Sequence, residues 1–436
     1  MVIKDWKLSG RRKFLRKGVV LAGSAVGVIH STNGQIIGPE LRPNELYDYG
    51  MRSRFVTSER IGTNGFNGRD IRPGVPRDWG FRTPLQDSVG VITPASLHFV
   101  LNHGYDPPKI DPQKHRLLIH GLVERPIVFT LEELQRLPSV SRIHFVECGG
   151  NSAAGGPGFI PGLVRTMPPA TVQQTHGLTS CSEWTGVSLS LLLDRAGVKP
   201  KGRWIIAEGE ERGMHTKSIP IEKAMDDVLV VYGQNGEPIR PEQGYPLRLL
   251  VPGWEGINSV KWLRRIKVTH QPAMGMKEMT RYTRLLSNGQ SHWFEFEMGP
   301  KSVITRPSGG QQLSGPGFYE ITGLAWSGGG SIQMVEVSID NGRTWTEATL
   351  QDPVHRKAHT RFRFAWNWDG RETVLLSRCI DDQGWVQPSV AELGKILGLD
   401  LSLDFFKERS GPVTHFNAIQ PWKVNRDGSV QNALFV

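Results

Sequence analysis

Between residues 303 and 380 the chain falls into short runs in which apolar and polar residues alternate, and an Asn-Gly pair, Asn341-Gly342, stands between two of them. Alternation with a period of two puts every second side chain on one face of a strand, and Asn-Gly takes the positive-φ turn that joins antiparallel neighbours. The runs are Val303-Ile304-Thr305-Arg306, Tyr319–Trp326, Ile332–Ile339, Arg361–Trp366 and Thr373–Ile380. Short strands at this spacing predict a β-sandwich of the immunoglobulin kind. The prediction rests on patterning, since the Cys…Trp…Cys core of antibody domains is missing.

Upstream, strands and short helices mix. Arg116–Val123, Ile143–Val146 and Trp204–Glu208 read as strands and Leu189–Ala196 as a short helix. Thr130 can cap a helix that begins at Leu131, with Glu133 three residues on completing a capping box. No regular βαβ repeat appears, which favours an α+β class over a doubly wound sheet. Residues 31–90 are polar and irregular and are expected to wrap the surface in extended form. A length of 436 residues suits two or three domains. The division expected is a leader at 1–35, an α+β domain at 36–300 and the sandwich at 301–436.

The formal net charge of +10 raises the question of nucleic acid, but residues 1–35 hold seven basic side chains against one acid, Asp5, and so carry +6 of it. No RNP, zinc-finger or helix-turn-helix signature is present, and no nucleic-acid partner is expected. Gly10-Arg11-Arg12-Lys13-Phe14-Leu15-Arg16, followed by the apolar run Val19–Ile29, reads as a twin-arginine export signal. The run is too short for the ~20 residues a membrane span needs, but it suits the core of a signal. The alternative is a basic amphipathic N-terminus. No other segment is long and apolar enough to span a membrane. The export reading places the mature protein in the periplasm. That route carries folded proteins, so it predicts a cofactor loaded before export.

Three cysteines, Cys148, Cys181 and Cys379, are an odd number for an oxidising compartment. At least one thiol is therefore buried, reactive or metal-bound; for Cys181 and Cys379 a buried, small apolar role is the default. No Cys-x-x-Cys-His motif occurs, so no covalent haem is expected on this chain. In Phe145-Val146-Glu147-Cys148-Gly149-Gly150-Asn151-Ser152 a cysteine leaves a strand and enters a turn with two glycines, which permit close backbone approach to a ligand. A thiolate is a soft ligand, and coordination keeps it deprotonated. From the residues alone Cys148 is either a metal ligand or a buried structural thiol beside a tight turn.

Further segments bear on that choice. They are Phe99-Val100-Leu101-Asn102-His103 before Ile110-Asp111-Pro112; Glu147–Asn151; Glu183-Trp184-Thr185-Gly186-Val187; Tyr232-Gly233-Gln234-Asn235-Gly236; Gly244-Tyr245-Pro246-Leu247-Arg248 with Val251-Pro252-Gly253; and Ser259-Val260-Lys261-Trp262-Leu263. In order and spacing they resemble the sulfite oxidase family of molybdopterin enzymes over roughly residues 90–436. The resemblance implies a molybdopterin-binding domain followed by the sandwich as a dimerisation domain. It also implies a dioxo molybdenum held by Cys148 and one pterin dithiolene. The positions that match the family's pterin contacts are Asn102, His103, Arg248, Ser259 and Lys261, and Tyr282 matches its active-site tyrosine. Arg248 and Lys261 suit the pterin phosphate through charge-assisted bonds. A surface charge for either, a satisfied loop histidine for His103, and a core tryptophan rather than a pocket wall for Trp184 are the bland alternatives.

The chain also departs from the family. Leu101 stands where an arginine is common before Asn102-His103, Ser152-Ala153 stand where another follows the cysteine motif, and Gln243 replaces a frequent histidine. Arg281 or Arg284 could supply charge instead. Charge-assisted bonds are worth about 1.5–3 kcal/mol each, so losing two weakens capture of free sulfite. Glu147–Ser152, Leu178–Gly186 and Lys301–Ser308 are similar to the molybdenum subunit of bacterial sulfane dehydrogenases, the SoxC type. That branch implies oxidation of a sulfane sulphur on a carrier protein, with electrons passed to a dihaem c-type cytochrome subunit in a homodimer or heterotetramer. The alternatives are a sulfite:cytochrome c oxidoreductase and a non-catalytic binding protein on the same fold.

Overall fold

In the computed structural model of the chain, the described residues are 50–62, 80–102, 106–152, 168, 170–275, 278–279, 282–285, 289–294, 296–402 and 415–434. The leader at 1–35, His103, Ala153 and Arg281 lie outside them, as does the side chain of Arg284. Two compact units divide the chain, residues 1–57 and Ser58–Val436, and every strand and helix below belongs to the second.

The alternating runs form two sheets. One has four strands in the order Lys301–Arg306, Gly317–Trp326, Thr360–Trp368, Thr349–Leu350. The other has five, in the order Thr346–Glu347, Ile332–Ser338, Thr373–Asp381, Trp422–Val424, Val430–Asn432. All pairings are antiparallel. Asn341 and Gly342 take φ of 63° and 81° in the loop that returns Ile332–Ser338 onto Thr346–Glu347, which is the left-handed backbone an Asn-Gly pair accepts at little cost. The inward residues Trp326, Val335, Phe362, Leu375, Cys379 and Trp422 are buried in one core. Burying each such side chain contributes about 1.5–3 kcal/mol.

The preceding part carries two more five-stranded sheets. Glu237–Pro238, Leu229–Gln234, Thr179–Ser188 and Val140–Glu147 run in that order, and Arg248–Leu250 also pairs with Leu229–Gln234. The second sheet runs Ile127–Phe129, Leu117–Gly121, Leu263–Thr269, Trp204–Gly209, Thr216–Pro220, with a parallel pair between Leu117–Gly121 and Leu263–Thr269. The helix Leu189–Ala196 buries Leu189, Leu192, Leu193 and Ala196, the spacing that places one apolar stripe on a helix. Helix Leu131–Gln135 starts at Thr130, whose Oγ1 accepts the Glu133 N–H at 3.1 Å while Glu133 Oε2 accepts the Thr130 N–H at 2.8 Å. The capping box read from the sequence is therefore present, as is the α+β class.

One expectation needs correction. Part of residues 31–90 is built into the fold rather than wrapped over it. Gly80–Arg82 is the middle strand of a small sheet with Ile61–Gly62 and Val100–Leu101, and Leu85 is buried in the sandwich core. The local sequence is polar; its few apolar side chains find a core only through the tertiary fold.

None of the three cysteines is in a disulfide, and all are buried. Burial pushes the Cys181 thiol up to about 12 and that of Cys379 well above its ordinary value, which is the behaviour of inert core thiols. Both should therefore resist alkylation in the native protein at pH 8 and react fully in denaturant. Mass-spectrometric labelling checks this, and native modification of either would contradict the assigned burial.

Candidate active site

The strand Val140–Glu147 pairs with Thr179–Ser188 along its whole length, ending at Glu147 opposite Thr179. One step further the Cys148 N–H donates to Leu178 O at 3.0 Å, the pairing stops, and the Asn151 N–H returns to Cys148 O at 2.9 Å to close a turn. The Gly150 N–H points at Cys148 Sγ at 3.4 Å, a contact that favours a thiolate. A Cβ at Gly149 would lie 2.4 Å from Glu255 Oε1, so glycine is what lets the Glu255 carboxylate pack against the turn.

Cys148 opens onto a cavity. Asn102, Arg248, Ser259, Lys261 and Tyr282 line the same cavity, so every described residue matched to a pterin contact, the metal or the active-site tyrosine converges on it. Leu101 and Gln243, the departures from the family pattern, line it as well. His103 lies outside the described residues.

Arg248 is buried on the strand Arg248–Leu250. Its Nη1 donates to Gln243 Oε1 at 3.1 Å and to Gln243 O at 3.3 Å, and its guanidinium lies 5.2 Å from the centre of the Trp184 ring. Its Nε finds no partner, and burial pushes its pKa down to about 9. Lys261 Nζ donates to Asn102 Oδ1 and Glu242 O, both at 2.7 Å. Burial first, and then the nearby Arg248 charge, hold Lys261 well below the ordinary lysine range. Among the described residues neither cation is in an ion pair. Ser259 Oγ accepts the Val251 N–H at 3.1 Å, which leaves its hydroxyl proton to donate.

Other residues of the site belong to no recognised motif. Glu211 and His215 come from the loop between Trp204–Gly209 and Thr216–Pro220 and line the cavity with Phe99, Ile257 and Trp262. Glu211 Oε1 accepts the His215 N–H at 2.7 Å, and its other oxygen is buried without a hydrogen-bond partner. An acid and a histidine four residues apart in a short loop were the only available signal. Lys217 is buried with its Nζ 5.0 Å from the centre of the Tyr282 ring and 3.8 Å from Glu278 Oε1.

One sequence reading is corrected. Trp184 does not wall the cavity: it is fully buried in the core, its indole N–H donating to His144 O at 3.2 Å, and it carries Arg248 on its face. Of the Ser152-Ala153 pair, Ala153 lies outside the described residues, and Ser152 does not line the cavity. It is buried with a φ of 68°, and its Oγ bonds His176 Nδ1 at 2.8 Å and the Lys301 ammonium.

Chemically, the donor set suits one kind of group. Two buried cations with no ion-pair partner among the described residues call for an anion such as a phosphate. The buried, unpartnered Glu211 oxygen calls for an N–H donor such as a heterocycle edge, and the Cys148 thiol calls for a soft metal. The residues present fit a molybdenum-bearing pterin.

Residues 103–277 match the family model of the oxidoreductase molybdopterin binding domain, and residues 293–405 match that of the Mo-co oxidoreductase dimerisation domain. The sulfane dehydrogenase SoxCD of Paracoccus pantotrophus has a similar structure, with a TM-score of 0.79 and 36% identity over 91% of this chain and 95% of that one. The chain belongs to the sulfite oxidase family. Curated relatives include nitrate reductases [NADH] of Brassica napus, 34% identical over 64% of this chain, and of Phaseolus vulgaris, 33% identical over 66%. The chain spans about a third of the length of these plant proteins, 33% and 35%. For this sulfite oxidase family member, the domain order and the strand-rich fold agree with the reading from sequence, and its first domain implies a molybdenum pterin. No helix among the described residues is long and apolar enough to cross a membrane.

The buried histidines around the site give a pH signature. His359 stacks on Phe145, shares a hydrogen bond of 3.0 Å between its Nε2 and Thr179 Oγ1, and is pushed down to about 3 by burial. His144 and His415, half-buried, are pushed down to about 4 by the same cause. A depressed value means that the folded state prefers the neutral ring, so the stability it contributes is present above about 6.5 and lost as pH falls from there toward 4. Below pH 6.5 the unfolded chain binds more protons, at up to about 1.4 kcal/mol per pH unit for each histidine. The urea midpoint should therefore drop steadily between pH 7 and pH 5. An unchanged midpoint across that window would contradict the assignment.

Proposed function

We propose that this protein is a periplasmic sulfane dehydrogenase: a molybdenum-pterin enzyme that oxidises sulfane sulphur carried on a partner protein and passes the electrons to a dihaem c-type cytochrome subunit. The observation that carries this reading is the composition of the cavity. Its two cations among the described residues, Arg248 and Lys261, are committed to the pterin phosphate in this reading, and Leu101 occupies the position where the family commonly presents an arginine. Among the described residues a small free dianion thus has few donors to hold it, whereas a sulphur delivered on a protein is held by the carrier itself. The high structural similarity to a sulfane dehydrogenase supports the same choice.

In this reading Arg248 and Lys261 hold the pterin phosphate, Asn102 and Ser259 present their polar groups to the ring system, and Glu211 accepts from its N–H edge. Cys148 ligates the metal in a dioxo centre. When bound, the molybdenum supplies two-electron redox chemistry and oxygen transfer. Tyr282 stands at the cavity wall to orient the substrate sulphur. The sandwich serves a homodimer or a heterotetramer with the cytochrome, and the leader at 1–35 directs export by the twin-arginine route.

A second reading, a sulfite:cytochrome c oxidoreductase, is favoured by Lys217, whose ammonium behind Tyr282 could attract a small anion. The test is cytochrome c reduction by the molybdenum-loaded enzyme with a persulfidated carrier protein, with sulfite, and, run in reverse with a reductant, with nitrate. Turnover with the carrier at least about tenfold above that with sulfite supports the first reading. Preference for sulfite supports the second, and turnover of nitrate alone overturns both.

A further inference from the structure

One buried ionic cluster takes no part in lining the cavity. Lys301 begins the first strand of the sandwich and is 1% exposed. Its ammonium donates to Glu147 Oε1 at 2.7 Å and to Ser152 Oγ. The other Glu147 oxygen accepts the Trp326 indole N–H at 2.7 Å, and Asn151 Nδ2 donates to Glu147 Oε1 at 2.9 Å. One lysine of the sandwich therefore grips the chain immediately before Cys148, at Glu147, and again after its turn, at Ser152. A second tie comes from His415, whose N–H donates to Gly149 O at 2.8 Å and whose Nε2 accepts the Gly299 N–H at 2.7 Å.

We propose that Lys301 is a positioning residue for the Cys148 thiolate, so that the sandwich is a working part of the metal site and not only an assembly surface. Burying a lysine and a glutamate is costly, and an apolar pair of the same volume commonly folds as well or better. What such a pair adds is a single geometry: the ammonium has one position that satisfies Glu147 and Ser152 together, and that position fixes both ends of the turn whose centre presents Sγ to the cavity. Ligand orientation is set by such outer partners, and their loss commonly costs 10- to 100-fold in activity or metal affinity.

The inference rests on Cys148 being the molybdenum ligand, and the experiment separates the two. The probe is the thiolate-to-molybdenum charge-transfer absorption of the cofactor-loaded enzyme, read with molybdenum content and melting temperature. Lys301→Met should shift the band and lower kcat at least about tenfold. The double variant Glu147→Gln with Lys301→Met removes both buried charges; it should recover melting temperature while the band stays displaced. Ser152→Ala, which removes one tie and no charge, should shift the band in the same direction by less, and serves if Lys301→Met does not fold. A band left in place in Ser152→Ala and in the double variant, or restored together with stability, overturns the positioning role. A band that persists in Cys148→Ser instead overturns the ligand assignment beneath it.

Discussion

Serine at position 148 should abolish turnover, by more than about 100-fold, while leaving the fold intact. Changes to outer partners of a ligand already cost 10- to 100-fold, so loss of the ligand itself sets a floor at that level. The replacement is nearly isosteric, and the backbone bond from residue 148 to Leu178 O at 3.0 Å does not involve the side chain. The turn and the cavity therefore survive. What changes is the donor: a hydroxyl is hard, weakly acidic and a poor partner for a thiophilic centre. Molybdenum content measured by elemental analysis, melting temperature and steady-state rate are read together. A variant that melts like the parent and still turns over at the parent rate would remove Cys148 from the chemistry and favour a non-catalytic role for the fold.

Arg248→Met separates stability from cofactor retention. The guanidinium is buried without a carboxylate partner, so the apoprotein bears an electrostatic cost that only an anion in the cavity offsets. Methionine fills much of the volume against Trp184 and carries no charge. The apoprotein should melt at the same or a higher temperature, with a gain in stability of up to ~2 kcal/mol, even though Gln243 loses its donor. Pterin retention should fall roughly 10- to 150-fold, the value of one charge-assisted bond of about 1.5–3 kcal/mol. Differential scanning calorimetry of the apoprotein and equilibrium dialysis of the loaded form give the two numbers. A large loss of apoprotein stability with unchanged retention would make Arg248 a structural residue.

Much of this architecture was legible because it is local. The stripe Leu189, Leu192, Leu193, Ala196 defines a helix whatever surrounds it, the Thr130–Glu133 box defines where one starts, and Asn341-Gly342 defines a turn. The site was legible for a different reason. Asn102, Cys148, Arg248, Ser259, Lys261 and Tyr282 meet in one cavity from separate elements, and nothing in their spacing announces proximity. Chemistry alone left Cys148 balanced between ligand and structural thiol; the ordered family motifs tipped it. Other roles stayed hidden. Lys301 lies inside the family-like segment Lys301–Ser308, but nothing in that segment announces its partner until the tertiary fold sets Glu147 opposite it. Trp184 sits inside a motif and read as a pocket wall, although its large apolar ring is used one layer behind, under Arg248. Glu211 and His215 belong to a loop whose placement depends on two strands and the Ile257 carbonyl that His215 reaches.

The core described for the sandwich does not stop at the sandwich. Leu85, Phe145, Val172 and Cys181 from the earlier part of the chain are buried in the same cluster as Trp326, Phe362 and Trp422. A seam of this kind has a genetic consequence. Recombination that exchanged the C-terminal third for another sandwich would strip the cysteine-bearing sheet of its own packing, so the two halves can be inherited only as a pair. Melting should accordingly proceed in one transition, and a fragment ending before Lys301 should be insoluble rather than a minimal enzyme.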